Sequence, residues 1–420
     1  MEAEGERDRQ GRTGINQPEC VAYLDYNASA PLRPAALEAM LPHLRSGGNA
    51  ASIHAHGRAA SEAVELARRQ LAALLTCSAS EVVFTSGATE ANNLALHLAA
   101  VRGNVVVSRA EHPAILEAAE VQSATAGTKR VVIGVNRNGE IDLEALREVL
   151  AQGGVGLVSA MAANNETGVL NDLAAIVEVA HQAGALVHTD ATQAVGRIPV
   201  NLADLDVDLL SLSAHKFGGP QGVGALFVRR TVHLPQRPLL VGGGHERGWR
   251  AGTTNVAGVV GMGAAAAVCA ARMDSEFAHT AALRDMLESS LLQRVADCWV
   301  NGSDARRLSG TASITFAGAP ADALMASMPQ VAVSDGSACH VGAPEPSHVL
   351  LAMGLSRDDA ECTLRFSLGY ATTQQEIRLA IEATVAAVDQ VRAMLGTVTT
   401  PRPQTVGPRF TGNPASAEGR

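Results

Sequence analysis

Short apolar runs alternate with helical segments along residues 58–229, and this alternation constrains the fold more than any other feature. The valine-rich runs are too short for buried helices, and segments with helical spacing of apolar residues separate them. Continuous apolar runs of this kind are typical of strands buried on both faces, as in parallel sheets. The pattern predicts an α/β fold with a mostly parallel central sheet flanked by helices. The predicted strands are residues 82–85, 104–108, 130–135, 155–160, 185–189, 208–213 and 223–228.

A second, smaller α+β region is predicted toward the C-terminus. A chain of 420 residues is long enough for two apolar cores. We predict a large domain over residues 21–272, whose first segment is available to pack on the small domain, and a small domain over residues 273–396. The polar ends, residues 1–20 and 397–420, are predicted to be a disordered extension and a mobile tail. The predicted small-domain strands are residues 298–301, 311–316, 330–334 and 363–368.

Composition excludes several classes of protein. The net charge of −9 argues against a general nucleic-acid binder. No apolar run is expected to reach membrane-spanning length, and residues 1–18 contain no hydrophobic signal core. The six cysteines are scattered without metal-type spacing, which predicts reduced thiols, a cytoplasmic protein and no metal site. We also expect no membrane partner.

Lys216 lies in a segment of small residues and glycines directly after the apolar run that ends at Leu212. A strand end followed by a glycine-rich turn directs the lysine amine into a cleft. Desolvation of a lysine lowers its pKa and makes its amine available for a Schiff base. The alternative is an ordinary surface lysine in a turn, and Lys216 by itself leaves both open.

Two further strand ends carry polar groups. The segment after residue 85 begins a helix at Gly87-Ala88-Thr89, and unsatisfied N–H groups at a helix start bind phosphate. Asp190 ends another predicted strand, where ligands bind in open α/β sheets. Either position is also compatible with a plain helix N-cap. Together with Lys216 they match pyridoxal phosphate, which needs a Schiff-base lysine, an anion seat and a carboxylate at its ring nitrogen.

Eight segments, in this order and spacing, resemble those of the cysteine desulfurases. This family belongs to the class V aminotransferase-like group with the pyridoxal-phosphate fold type I, and the resemblance runs from about residue 21 to residue 395. The segments are YLDYN (23–27), FTSGATEANN (84–93), EH (111–112), NNETG (164–168), HTDATQ (188–193), SAHK (213–216), GGGHERGWRAGT (242–253) and LRFSLG (364–369).

The resemblance implies a homodimer, a pyridoxal 5'-phosphate cofactor and a role for each matching residue. Lys216 would form the Schiff base, Asp190 would pair with the ring nitrogen, and His112 would stack on the ring and assist proton transfer. The other implied contacts are Gln193 with the cofactor phenolate; Ala88, Thr89, Ser213 and His215 with the phosphate; Thr253 with the phosphate of the partner subunit; and Asn165 and Arg365 with the substrate carboxylate.

Cys339 decides which reaction the sequence predicts. It lies in a polar segment of small residues, SDGSACHVG (334–342), whereas Cys77, Cys269, Cys298 and Cys362 are expected to be buried, inert thiols. The family's sulfur-accepting cysteine occupies the matching position. The neighbouring Asp335 and His340 depart from the family pattern, and their opposite effects on a thiol pKa leave the net shift open.

The predicted activity is conversion of L-cysteine to L-alanine, with the sulfur captured on Cys339 as a persulfide and passed to a protein acceptor. The alternatives are a selenocysteine lyase, another class V C–S lyase or aminotransferase, and a non-catalytic sulfur-relay scaffold. The sequence does not name the acceptor, because iron–sulfur assembly, tRNA or DNA thiolation and thio-natural-product pathways would use the same residues.

Overall fold

The structure is a computed structural model that describes residues 22–335 and 346–396. Several sequence predictions lie outside the described residues. They are the N-terminal extension (1–20), the segment with Cys339 and His340, and the C-terminal tail (397–420).

A seven-stranded sheet forms the centre of the larger part of the chain. Its strands are β2 (Val82–Thr85), β3 (Asn104–Ser108), β4 (Arg130–Ile133), β5 (Val155–Ser159), β6 (Leu186–Asp190), β7 (Leu209–Ser213) and β8 (Gly224–Val228). The strand order is β2-β8-β7-β6-β5-β3-β4. Only β8 runs against its neighbours, because the short turn after β7 leaves no room for a crossover. The predicted mostly parallel α/β sheet is confirmed.

Helices cover both faces of this sheet, which explains why its strands are apolar throughout. In β3, Val106 packs into one apolar cluster, while Val105 and Val107 pack into another on the opposite face. Successive side chains of a strand point to opposite faces, so both faces must be apolar to be buried. The helices of this part are α1 (Pro34–Arg45), α2 (Ala55–Leu75), α3 (Ala88–Ala99), α4 (Pro113–Ala126), α5 (Leu143–Ala151) and α6 (Leu173–Gln182), followed by α7 (Val256–Arg294).

The C-terminal part has its own sheet and apolar core. Its antiparallel sheet has the order β12 (Thr363–Ser367), β10 (Thr311–Phe316) and β9 (Cys298–Val300). A separate parallel pair is formed by β1 (Ala22–Tyr23) and β11 (Val331–Ala332). Leu24 from the N-terminal segment lies in the same apolar cluster as Phe316 and Phe366. The elements are β1 (Ala22–Tyr23), β9 (Cys298–Val300), β10 (Thr311–Phe316), α8 (Ala321–Ser327), β11 (Val331–Ala332), α9 (His348–Ala352), α10 (Arg357–Glu361), β12 (Thr363–Ser367) and α11 (Gln374–Leu395).

Helix α7 differs from two expectations. It begins at Val256 and ends at Arg294, so the predicted domain boundary at 272–273 falls inside it. Its first half is rich in alanine and glycine, because a close approach to α2 leaves space only for small residues: a Cβ on Gly263 would lie 2.5 Å from the Cα of Ala67.

The same helix is long and apolar enough to span a membrane by length and composition, contrary to the expectation that no run reaches that length. Half of its most apolar window is buried within the structure. Val259 and Met262 pack into the core of the large sheet, and Leu287 packs into the core of the C-terminal part. Burial of this kind is typical of the core helix of a globular protein.

Gly224, at the start of β8, allows three chain segments to approach one another. A Cβ at this position would lie 2.5 Å from the carbonyl oxygen of Leu212 and 2.7 Å from the Cα of Gly87. Backbone atoms cannot move aside as a flexible side chain can. We expect Gly224→Ala to lower the free energy of unfolding by about 2 kcal/mol, the usual cost of overpacking. Denaturant unfolding measures this change.

Gly47→Ala is the matched control, because a Cβ at Gly47 would have no atom within 4 Å. Its expected effect is within about 0.5 kcal/mol, as for other surface substitutions. Equal unfolding curves for the two variants would show that the Gly224 contact relaxes without cost.

Candidate active site

The predicted site residues meet at the carboxyl-terminal edge of the large sheet. Asp190 is the last residue of β6, and Lys216 ends a short 3₁₀ turn directly after β7. His112 is the N-cap of α4, which follows β3, and α3 begins three residues after β2. Ligands of open α/β sheets bind at this edge because the loops there diverge to form a crevice.

The crevice encloses a cavity of about 540 Å³. The structure brings nearly all predicted site residues of the described segments to its wall. They are Ala88, Thr89, His112, Asn165, Asp190, Gln193, Ser213, His215, Lys216 and Arg365. Thr253 instead lines a neighbouring cavity of about 100 Å³. Ser86 and Gly222 belong to the walls of both cavities.

The Lys216 amine is held at the wall of the main cavity by backbone carbonyls. Its Nζ donates to the oxygens of Asn27 at 2.6 Å and Ala28 at 2.9 Å. The backbone of the turn is tied to the same loop, because the N–H of Ala30 donates to the carbonyl of His215 at 2.8 Å. The loop after β1 therefore orients the amine that the sequence predicts as the Schiff-base group.

The carboxylate of Asp190 is oriented by two donors. The amide of Asn92 donates to Oδ2 at 2.7 Å, and the N–H of Thr192 donates to Oδ1 at 2.9 Å. Asn92 lies in the second turn of α3, so it connects the Asp190 carboxylate with the helix whose start is predicted to bind the phosphate. No sequence pattern assigns Asn92 a role, although it lies within the family-like segment 84–93.

His188, two residues before Asp190, is a core histidine. Its ring lies between the hydroxyls of Ser159 at 2.8 Å and Ser211 at 2.9 Å. Burial lowers the pKa of His188 to about 4, against the opposing effect of Asp190. The ring is therefore neutral at pH 7 and carries no charge near the site.

The predicted phosphate seat consists of neutral donors. The first N–H groups of α3 begin at Ala88, with the hydroxyls of Thr89 and Ser213 and the ring of His215 on the same cavity wall. Burial, together with the positive charges of Lys216 and Arg197, lowers the pKa of His215 to about 4. His215 is therefore a neutral hydrogen-bonding group at pH 7, and the helix start supplies the positive potential for an anion.

The tautomer of His112 follows from its contacts. Its Nδ1 accepts the N–H of Ala114 at 3.0 Å. A neutral imidazole that accepts at one nitrogen carries its proton on the other. The neutral ring of His112 therefore carries its proton on Nε2.

Arg365 reaches the cavity from β12 of the C-terminal part. Its Nη1 donates to the carbonyl of Asn165 at 3.1 Å, and its Nη2 pairs with Asp25 at 2.6 Å. Asn27 joins these groups, since its Nδ2 donates to the same Asn165 carbonyl at 3.0 Å. No sequence pattern assigns a role to Asp25 or Asn27, although both lie in the family-like segment 23–27.

The residues present fit pyridoxal phosphate. A carboxylate, a lysine amine and an anion seat lie on one cavity wall, as the ring nitrogen, carbonyl carbon and phosphate of that molecule require. Within the described part of the chain, the buried Thr192 Oγ1 and Gln193 Oε1 have no hydrogen-bond partner. Such atoms are satisfied when a polar ligand fills the cavity.

The four cysteines of the described segments form no disulfide, and Cys269 and Cys362 are buried as expected, whereas Cys77 and Cys298 are only half-buried. Burial raises the pKa of Cys77 to about 12 and those of Cys269 and Cys298 to about 11, and it also raises that of Cys362. A thiol is nucleophilic as the thiolate, so these residues are poor nucleophiles at neutral pH. The same segments contain no group of three or more His, Cys, Asp or Glu placed to hold a metal ion.

Comparisons with known proteins agree with this geometry. The class V aminotransferase family matches residues 22–379. A cysteine desulfurase of Gluconacetobacter diazotrophicus is 43% identical over 380 residues, which cover 89% of this chain and 94% of that protein. The chain belongs to the cysteine desulfurases of the class V aminotransferase family. The predicted family and the predicted cysteine desulfurase activity are thereby confirmed, and persulfide capture on Cys339 stays a prediction.

Solved structures of similar proteins share the fold. The NifS-like protein from Rickettsia africae matches with a TM-score of 0.81 and 32% identity, over 88% of this chain and 99% of that chain. A structure of SspA in complex with cysteine matches with a TM-score of 0.73 and 31% identity, over 84% and 100% of the two chains. The predicted fold type is confirmed, and the roles of individual residues stay predictions.

Proposed function

We propose that this cysteine desulfurase binds pyridoxal 5'-phosphate, converts L-cysteine to L-alanine and captures the sulfur on Cys339 as a persulfide. The observation that carries the proposal is a single cavity wall shared by Lys216, Asp190 and Arg365. Lysine and aspartate suit the cofactor, and arginine suits an amino-acid carboxylate because its planar group binds carboxylates through two N–H groups. The structural similarity to SspA, solved in complex with cysteine, supports the same substrate.

The cofactor contacts follow the sequence assignment. Asp190 would hold the protonated ring nitrogen, Gln193 the phenolate, and His112 the ring face. When bound, pyridoxal phosphate withdraws electrons from the substrate Cα and makes the neighbouring C–S bond labile. The phosphate would be held by Ala88, Thr89, Ser213 and His215.

The protein's own groups would perform the proton and sulfur transfers. The Lys216 amine would accept the Cα proton of the substrate, and His112 would assist through its Nε2 proton. The Cys339 thiolate would attack the substrate sulfur, forming an S–S bond as the C–S bond breaks. The electron pair of the C–S bond would pass to the substrate Cβ, which gains a proton, and Lys216 would return a proton to Cα to give alanine. A thiolate is the nucleophile that this step needs.

The assembly and location of the enzyme are part of the proposal. We propose a homodimer in which Thr253 of one protomer contacts the phosphate bound by its partner, supported by the position of Thr253 in the adjoining cavity rather than the main one. We propose a cytoplasmic enzyme, supported by free cysteines in the described segments. A protein would accept the persulfide sulfur. The enzyme itself would bind neither nucleic acid nor a membrane directly.

Incubation of the cofactor-loaded protein with L-cysteine tests this function. We expect equal amounts of L-alanine and released sulfide when a thiol reductant is present. Without the reductant, the peptide containing Cys339 should gain the mass of one sulfur atom. Absence of alanine would contradict the proposal, and a strong preference for L-selenocysteine would favour the lyase alternative. A protein that fails to take up the cofactor would favour a non-catalytic scaffold.

A further inference from the structure

The substrate-carboxylate arginine has a counter-ion that comes from the opposite end of the chain. Asp25 forms a parallel bridge with Ser367, and the N–H of Ser367 donates to the carbonyl of Leu24 at 2.8 Å. Arg365 precedes Ser367 by two residues, so the side chains of Arg365 and Ser367 lie on one face of β12. The backbone pairing therefore places the Asp25 carboxylate beside the guanidinium.

The contacts of the Arg365 guanidinium leave donors free. Of its five N–H groups, one on Nη2 donates to Asp25 Oδ1 at 2.6 Å and one on Nη1 donates to the Asn165 carbonyl at 3.1 Å. Its Nε is buried and has no acceptor within residues 22–335 and 346–396. A buried N–H without an acceptor is costly, so a ligand carboxylate is the group expected to complete this set.

Asp25 also supplies the negative charge that the buried Arg365 guanidinium needs. Arg365 is only 4% exposed and lies close enough to Arg197 for the two positive charges to interact. Burial, with a smaller contribution from Arg365, lowers the pKa of Arg197 to about 10. A buried cation needs a hydrogen-bonded partner, and the ion pair with Asp25 provides it before substrate arrives.

We propose that Asp25 is a positioning residue for the substrate carboxylate. Its carboxylate holds the Arg365 guanidinium in one orientation, so that the unused N–H groups bind the α-carboxylate of the amino acid. This inference rests on the proposed function, because it takes Arg365 to be the group that binds that carboxylate. It predicts that Asp25 contributes to binding only when the ligand has a carboxylate.

Two ligands that differ in the carboxylate test this inference. L-Alanine and ethylamine both carry an amine and no sulfur, and their binding is followed as a change in the visible absorbance of the cofactor-loaded protein. We expect Asp25→Ala to weaken L-alanine binding about tenfold, because the variant no longer orients the Arg365 N–H groups that would bind the ligand carboxylate. Ethylamine has no carboxylate, so its binding should weaken less than about twofold. Asp25→Asn should weaken L-alanine binding in the same direction by a smaller factor.

The Arg365→Ala background separates positioning from general damage. There, Asp25→Ala should cause no further loss of L-alanine affinity, because the residue that it positions is absent. Glu288→Ala is the matched control: it removes the carboxylate from the largely buried pair with Arg307, and neither residue lines the cavity. This control should leave the ratio of the two ligand affinities unchanged.

Equal losses for L-alanine and ethylamine in both Asp25 variants would overturn the inference, as would a full additional loss in the Arg365→Ala background. These outcomes differ from a failure of the proposed function. Amine binding requires no sulfur chemistry, so a protein that releases no alanine from L-cysteine can still show or lack the Asp25 effect.

Discussion

Lys216→Ala is expected to abolish turnover, lowering the rate of alanine formation from L-cysteine by about a thousandfold or more. The amine would serve as both the cofactor link and the base for the Cα proton, and no other lysine lies on the cavity wall formed by the described residues. The visible absorbance of the lysine-bound cofactor should disappear. Absorbance spectra and alanine assays of the purified variant measure the two effects.

Lys129→Ala is an unusually complete control, because Lys129 and Lys216 are the only lysines in the sequence. Lys129 is exposed, and its replacement should leave spectrum and rate unchanged. Borohydride reduction of the loaded wild-type protein should attach the cofactor to the peptide that contains Lys216. Attachment to Lys129, or an unchanged spectrum in Lys216→Ala, would contradict the assignment.

Cys339→Ala is expected to abolish persulfide formation and to lower alanine release by about a thousandfold, as the loss of a catalytic nucleophile does. The cofactor absorbance should persist, because the groups that would bind the cofactor belong to other segments. Mass spectrometry of the protein after exposure to L-cysteine, together with the alanine assay, measures both effects.

Cys77→Ala is the matched control for the thiol. Burial raises the pKa of Cys77 to about 12, so its removal should change neither persulfide content nor rate. Substantial alanine release by Cys339→Ala would indicate a lyase that needs no protein thiol. A persulfide on another cysteine would assign the sulfur acceptor elsewhere.

Much of the large sheet could be predicted from local sequence. The runs that became β3 and β5 are apolar at most positions because both faces of the sheet are covered, and such runs are recognisable without knowing their neighbours. The start of α7 was not predicted, because its alanine- and glycine-rich half lacks helical spacing of large apolar residues. Only contact with α2 explains why small residues are needed there.

The site likewise combines features that local sequence predicts with features that depend on packing. Lys216 and Asp190 could be predicted to line the crevice because each lies at the end of an apolar strand, and the ends of parallel strands lie at one edge of a sheet. The orientation of each group was not predictable. The amine is held by carbonyls from the loop after β1, and the carboxylate is held by Asn92 from α3.

The sequence by itself determined the α/β fold and the family, and it predicted the cofactor lysine and the sulfur-accepting cysteine, because these depend on residue types and spacing within short segments. Tertiary structure decided how the charged groups of the site are paired. Asp25 and Arg365 are 340 residues apart, and their ion pair exists only because the segment after β1 joins β12 in the folded chain. Local patterns encode contacts within a few residues, whereas contacts of this separation depend on how whole elements pack.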